Sequence, residues 1–455
     1  METKKTRSAQ HIFPRDWRKR YPVVERGEGV YLWDKDGRRY MDGAGGAAVV
    51  TVGHGNREVI QAMSSQAERV CFPYVGNFLS QAQIELADKV ISFSPPGMSR
   101  VYFVSGGSEA TEVAIKIARQ YHLLQGKEGK VQIISRWLSY HGATLGALSL
   151  SGHRQRRKDY LPYLLDSPHI PPPYCYRCSF ALSYPACHIR CAEELERTIK
   201  ELGAEHIAAF IAEPIIGNTA GAVVPPAEYY PIIRETCDKY DILLILDEVI
   251  TGFGRTGRNF AIGHWGVCPD VLIFGKGISS GYAPLGGVAI HEKIFDVFYN
   301  SPSSGFFLGY TFSGNPLACS AGLAVLNYID KHHLVEECAR KGAYLREQSS
   351  GLKDLPMVGD LRGKGLFMGI ELVSDKEQKT PFPREMMAAE TVKATAMEKG
   401  LLLMSGSGTA DGVAGDHLVI APPFTITTEE LNLLLDLLGS SLKEWWKKHG
   451  KSHSK

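Results

Sequence analysis

Apolar positions in this chain fall into two registers. Short unbroken runs bounded by charge recur at Ala208–Ala212, Ile242–Leu246 and Val271–Phe274. Uniformly apolar runs of that length are what strands of a parallel sheet need when helices cover both faces. Arg100–Val104, Val131–Ser135 and Gly286–His291 predict further strands. From Ala110 the register changes, with Ala110, Val113, Ala114, Ile117, Ala118 and Tyr121 following the i, i+3, i+4, i+7 spacing of a helix with one buried face. Strands and helices in alternation imply βαβ units and a mainly parallel sheet.

The two ends of the chain read differently. Val23–Asp42 alternates apolar and polar residues about Asp36-Gly37, a hairpin signature, and 56–69 reads as a helix. After Pro316, which opens a helix over 317–329, a second helix covers 334–349. Glycine-punctuated strands follow within 358–373, a helix at 384–398, short strands at 401–404 and 417–420, and a long amphipathic helix at 428–447. This predicts a smaller α+β unit, joined by the N-terminal hairpin.

Composition narrows the classes. The chain has 455 residues, 44% hydrophobic and 22% charged, an ordinary globular balance, and a formal net charge of +2 gives no case for a nucleic-acid or membrane surface. No apolar stretch is long enough to span a bilayer, and Met1–Arg7 lacks the apolar core of a signal peptide. The odd count of 9 cysteines argues against a disulfide framework, so a cytoplasmic enzyme is expected. Lys447–Lys455 reads as a frayed, solvated tail.

Candidate chemistry sits at the carboxyl ends of the predicted strands, where open α/β sheets bind ligands. The run 242–246 delivers Asp247 and Glu248, and 271–274 delivers Lys276. A carboxylate and a lysine on one rim suit pyridoxal 5'-phosphate (PLP), the lysine condensing with its aldehyde and the aspartate holding its pyridine nitrogen. Strand, Gly106-Gly107-Ser108, helix presents free N–H groups and a positive dipole end to an anion. Tyr140-His141 offers rings for stacking on a flat heterocycle, and the strand at 208–212 ends in Glu213-Pro214.

Taken together, Tyr31-Leu-Trp-Asp34, Asp42-Gly43, Ser105–Ala110, Tyr140-His-Gly142, Glu213-Pro214, Asp247–Gly257, Gly275-Lys-Gly277 and Thr311–Pro316 resemble the class III (ω-amino acid) aminotransferases of PLP fold type I, from about Pro22 to the final helix. The resemblance implies a large α/β domain with a mainly parallel seven-stranded sheet, over 55–335, and a small α+β domain from 1–54 and 336–455. It further implies that Gly107 and Ser108 hold the phosphate, that Tyr140 stacks on the pyridine and Val249 packs its other face, and that His141 and Glu213 lie at the site. Thr311 is implied to reach the phosphate of a neighbouring subunit, making the protein a homodimer or a higher oligomer. Lys276 and Asp247 are the catalytic pair, and the expected reaction moves an amino group from a primary amine or ω-amino compound to a small oxo acid, with pyruvate the expected acceptor, by a ping-pong mechanism.

Other readings compete. The same fold serves aminomutases, decarboxylases, racemases and 2-oxoglutarate-using aminotransferases. A nucleotide-binding reading of Gly275-Lys-Gly277 fails, because Asp270 stands where a phosphate-binding loop has glycine and Gly277 follows the lysine where Ser or Thr is required. Cys175, Cys178, Cys187 and Cys191 have the spacing of a structural zinc site, against the alternative of reduced thiols in a surface excursion.

Two departures from relatives bear on the substrate. Many meet a substrate carboxylate with a mobile arginine in the segment matching Leu401–His417, which here holds no Arg or Lys, Ser405 standing near the expected position. Ala44–Ala48 is all small residues, where relatives often place an aromatic near Ala48. These imply a wide, weakly charged pocket for a bulky or long amine, unless Arg255 or Arg258 substitutes for the missing arginine.

Overall fold

The computed structural model describes residues 11–302 and 305–450. Met1–Arg7 and the last part of the expected tail, 451–455, lie outside the described residues. The tail's beginning is not frayed: the final helix spans Thr428–His449, held at its start by a capping box between Thr427 and Glu430.

A seven-stranded sheet forms the centre, in the order Met98–Val104, Gly286–His291, Val271–Phe274, Leu243–Asp247, Ile207–Ala212, Gln132–Arg136, His169–Ile170. The last five are parallel and Gly286–His291 runs antiparallel to both neighbours. The fold is therefore the expected α/β type I arrangement with a mixed sheet. Ile207–Ala212, Leu243–Asp247 and Val271–Phe274 are buried along their whole length, as their unbroken apolar runs require.

The expected hairpin is a three-stranded meander, Val24–Glu28, Tyr31–Asp34 and Arg39–Met41, with the Asp36-Gly37 turn joining the last two. Gly29 at φ 56 makes the additional turn. A four-stranded antiparallel sheet is built from Val358–Lys364, Phe367–Leu372, Asp416–Ile420 and Met404–Gly406. The N-terminal segment is stitched to this C-terminal region, Met41 N–H donating to Gly400 O at 2.7 Å and Ala421 N–H to Gly43 O at 2.8 Å. No helix among the described residues is long and apolar enough to cross a membrane.

Candidate active site

A cavity of about 730 Å³ opens at the carboxyl ends of the parallel strands, and Lys276, Asp247, Glu213, Tyr140, His141, Val249, Gly107 and Ser108 all line it. The strand Leu243–Asp247 ends by placing the Asp247 carboxylate on this rim. Oδ1 accepts from Val249 N–H at 3.0 Å and Oδ2 lies 2.8 Å from His141 Nδ1. His141 is itself clamped: its N–H donates to Ser151 Oγ at 2.8 Å, and its carbonyl accepts from Thr111 Oγ1 at 2.7 Å. The carboxylate is thus fixed before any ligand arrives, as electrostatic preorganisation requires.

Lys276 follows Val271–Phe274 and is partly exposed to the cavity, with a left-handed backbone at φ 43. That conformation disfavours a side chain and is retained where surroundings impose it, often at functional positions. Burial pulls its amine down to about 8, with Asp247 and Glu213 opposing the shift and Arg156 and Arg255 adding to it. Burial pushes Glu213 up to about 7, the Asp247 charge adding to the shift and His141 and Arg136 opposing it. Glu213 Oε1 accepts from Gly217 N–H at 3.0 Å, and Tyr230 Oη donates to its main-chain carbonyl at 2.6 Å.

The helix Gly107–Leu124 starts at the cavity wall. Ser108 Oγ accepts from Ala143 N–H at 3.0 Å, joining the helix start to the loop that carries Tyr140 and His141. A Cβ on Gly107 would come within 2.9 Å of Val249 Cγ2, so only glycine lets the helix start and Val249 share this wall. Opposite, the Asp42 carboxylate accepts Gly46 N–H at 2.9 Å and lies 3.0 Å from His54 Nε2, pinning the small-residue turn that ends in Ala47 and Ala48.

These groups fit PLP. An unprotonated amine is accessible near neutral pH, a fixed carboxylate can hold a pyridinium N–H, a helix N-terminus faces the cavity for a phosphate, and Tyr140 and Val249 border the space between. The cofactor, once bound, supplies an electron sink for the substrate carbanion. Asp247 would hold the ring nitrogen in its protonated form, and His141 Nδ1, 2.8 Å from Oδ2, holds that carboxylate in place. Lys276 Nζ, whose pKa burial lowers, is the group of this rim that would hold the cofactor and move a proton at the substrate.

Several expected site residues lie elsewhere. Ala48 is 1% exposed, packed in a cluster with Ala44, Ile215 and Met404, and its neighbour Ala47 lines the cavity instead. Ser405 does not line the cavity, because its strand turns Met404 inward, while the Ser405 carbonyl accepts from Asn218 Nδ2 at 3.3 Å. Arg255 is fully buried, donating to the carbonyls of Leu366, Pro422 and Val50, and Arg258 lies outside the cavity, so neither replaces the missing arginine. Thr311 is exposed and outside this chain's own cavity. Cys175, Cys178, Cys187 and Cys191 surround one void of about 20 Å³, and among the described residues no group of three or more His, Cys, Asp or Glu is disposed to hold a metal ion. Burial raises the pKa of the Cys175 thiol and pushes that of Cys191 up to about 12.

Sequence reasoning passed over Arg156, Asn218 and Thr219, which also line the cavity. Their only signal was proximity to the predicted strand ends: Arg156 lies shortly after Tyr140-His141, and Asn218 and Thr219 shortly after Glu213.

The aminotransferase class-III family matches residues 12–442. The chain is 34% identical over 429 residues to the putrescine–pyruvate aminotransferase of Pseudomonas aeruginosa, covering 93% of this chain and 90% of that protein. Among solved structures it is similar to a thermostable (S)-enantioselective ω-transaminase from Thermomicrobium roseum, with a TM-score of 0.89 and 39% identity over 96% of both chains. A PLP-bound amine transaminase from an uncultivated Pseudomonas species gives a TM-score of 0.89 at 35% identity, covering 97% of this chain and 99% of that one. With the fold, the site and these likenesses in agreement, the chain belongs to the class III aminotransferases, PLP-dependent enzymes.

Proposed function

We propose that this aminotransferase takes an amino group from a bulky or long primary amine or ω-amino compound and passes it to pyruvate or a similarly small oxo acid. The two half-reactions alternate in one cavity, the first carbonyl product leaving before the acceptor enters. The observation that carries the reading is the apolar part of the cavity wall, which includes Ala47, Val49, Ile215, Ala283, Leu285 and Met404. That wall is apolar and of modest side-chain size, which suits an aliphatic or arylalkyl amine better than a second carboxylate. The relative named for putrescine and pyruvate supports the same direction.

The reading includes a homodimer in which Thr311 serves the neighbouring copy's cofactor. Its exposure away from its own cavity, beside the exposed Phe307 and Phe312, supports that arrangement. The test is a single half-reaction. Holoenzyme given a long primary amine without acceptor should release one equivalent of carbonyl product per active site, and Lys276→Ala should release none. No carbonyl release by the wild type, or carbonyl release by Lys276→Ala, refutes the reading.

A further inference from the structure

The oxo-acid acceptor brings a carboxylate into a cavity whose expected arginine, in 401–417, is missing. Among the described residues the lysine and arginine side chains lining the cavity are Lys276, Arg156 and Arg15. Lys276 is committed to the cofactor. Arg15 lies on the N-terminal segment ahead of the first strand. Arg156 is only partly exposed, and its guanidinium carbon lies 4.4 Å from the centre of the Tyr140 ring. A guanidinium held over an aromatic face keeps its edge N–H donors available, and those donors match a carboxylate in bidentate geometry. No carboxylate of the described residues forms an ion pair with it. Its charge reaches the catalytic amine, being one of the groups that lower the Lys276 pKa.

The short helix Arg154–Arg157 is also anchored to the segment that lacks the arginine. His153 Nε2 donates to Ser407 O at 3.0 Å, Gln155 Nε2 to Val413 O at 3.3 Å, and Ser407 Oγ to Gln155 Oε1 at 3.2 Å. The segment therefore supports a cation from another part of the chain.

Resting on the transaminase reading above, we propose that Arg156 is the specificity-determining residue that binds the carboxylate of the oxo-acid acceptor, stacked on Tyr140 and supported by the 404–415 segment. A charge-assisted pair of this kind changes affinity by roughly 10- to 100-fold.

Propionate and propanamide, which have the acceptor's chain length and no ketone or aldehyde group to aminate, are the probes, titrated calorimetrically into holoenzyme. Wild type should bind propionate more tightly than propanamide. Arg156→Gln should lose roughly 10- to 100-fold of that preference, Arg156→Lys should regain part of it, and Arg15→Gln should keep it. The kcat/KM ratio of pyruvate to propanal should fall in parallel in Arg156→Gln. A wild type without the preference, an Arg156→Gln protein that retains it, or its loss in Arg15→Gln instead overturns the inference. If wild type yields no carbonyl product from amine alone, the transaminase reading falls; if it does and Arg156→Gln retains the propionate preference, only this inference falls.

Discussion

The Lys276 amine should react as an unusually acidic lysine in the apoprotein. Its folded pKa of about 8 stands against an ordinary 10.5. At pH 7 a group at 8 is about 9% neutral and one at 10.5 about 0.03%, a ratio near 300-fold. The sign comes from the nucleophile: only the neutral amine attacks, so reactivity rises with pH through the folded pKa and levels off above it. Asp247 is the largest charge partner holding the pKa up, so Asp247→Asn should move the midpoint below about 8. Competitive acetylation of apoprotein from about pH 6 to about pH 11, with the Lys276 peptide quantified by mass spectrometry against surface lysines, reads the midpoint directly. A midpoint near that of surface lysines would refute the burial argument. An upward shift in Asp247→Asn would refute the charge coupling.

Ser108→Ala removes the acceptor for Ala143 N–H and a hydroxyl at the helix start, and should weaken PLP retention by about tenfold or more, measured by equilibrium dialysis; an unchanged dissociation constant counts against Ser108 as a phosphate contact. Ala47→Trp should fill the cavity beside Met404 and lower kcat/KM for long amines far more than for short ones. Equal losses across a chain-length series would mean that the wall at Ala47 does not bound the donor. Ala48→Trp would instead break a packed cluster, and a lower melting temperature rather than altered selectivity is its expected result.

The polar rim was legible because its central members end short, charge-bounded apolar runs of a length that suits buried strands. Leu243–Asp247 and Val271–Phe274 announce themselves by unbroken apolar character, and the residues directly after them must stand at the sheet's edge. The helix Arg57–Arg69 was equally local, its start fixed by Asn56 as the cap. The antiparallel direction of Gly286–His291 was not legible, since direction depends on the pairing partner and not on the strand's own residues. The two-residue strand His169–Ile170 is too short to leave a pattern. In the pocket, Ala48 and Ser405 were each placed one position from the residue that faces the cavity. A one-residue shift reverses which way a side chain points in a strand, and the left-handed Ala48, at φ 57, does the same in a turn. Arg156 stayed hidden because its stacking on Tyr140 belongs to tertiary geometry.

The rim also has a mechanical consequence. Gly107, Tyr140, Glu213, Asp247 and Lys276 come from the ends of separate strands far apart in the chain, yet surround one cavity. A molecule attached to Lys276 and gripped at the Gly107 helix start works as a staple across the sheet, on both sides of the antiparallel strand Gly286–His291. Ligand bound only by the folded state adds stability in proportion to the logarithm of its free concentration over its dissociation constant. Cofactor supply thereby sets how long this chain survives proteolysis as well as how fast it turns over.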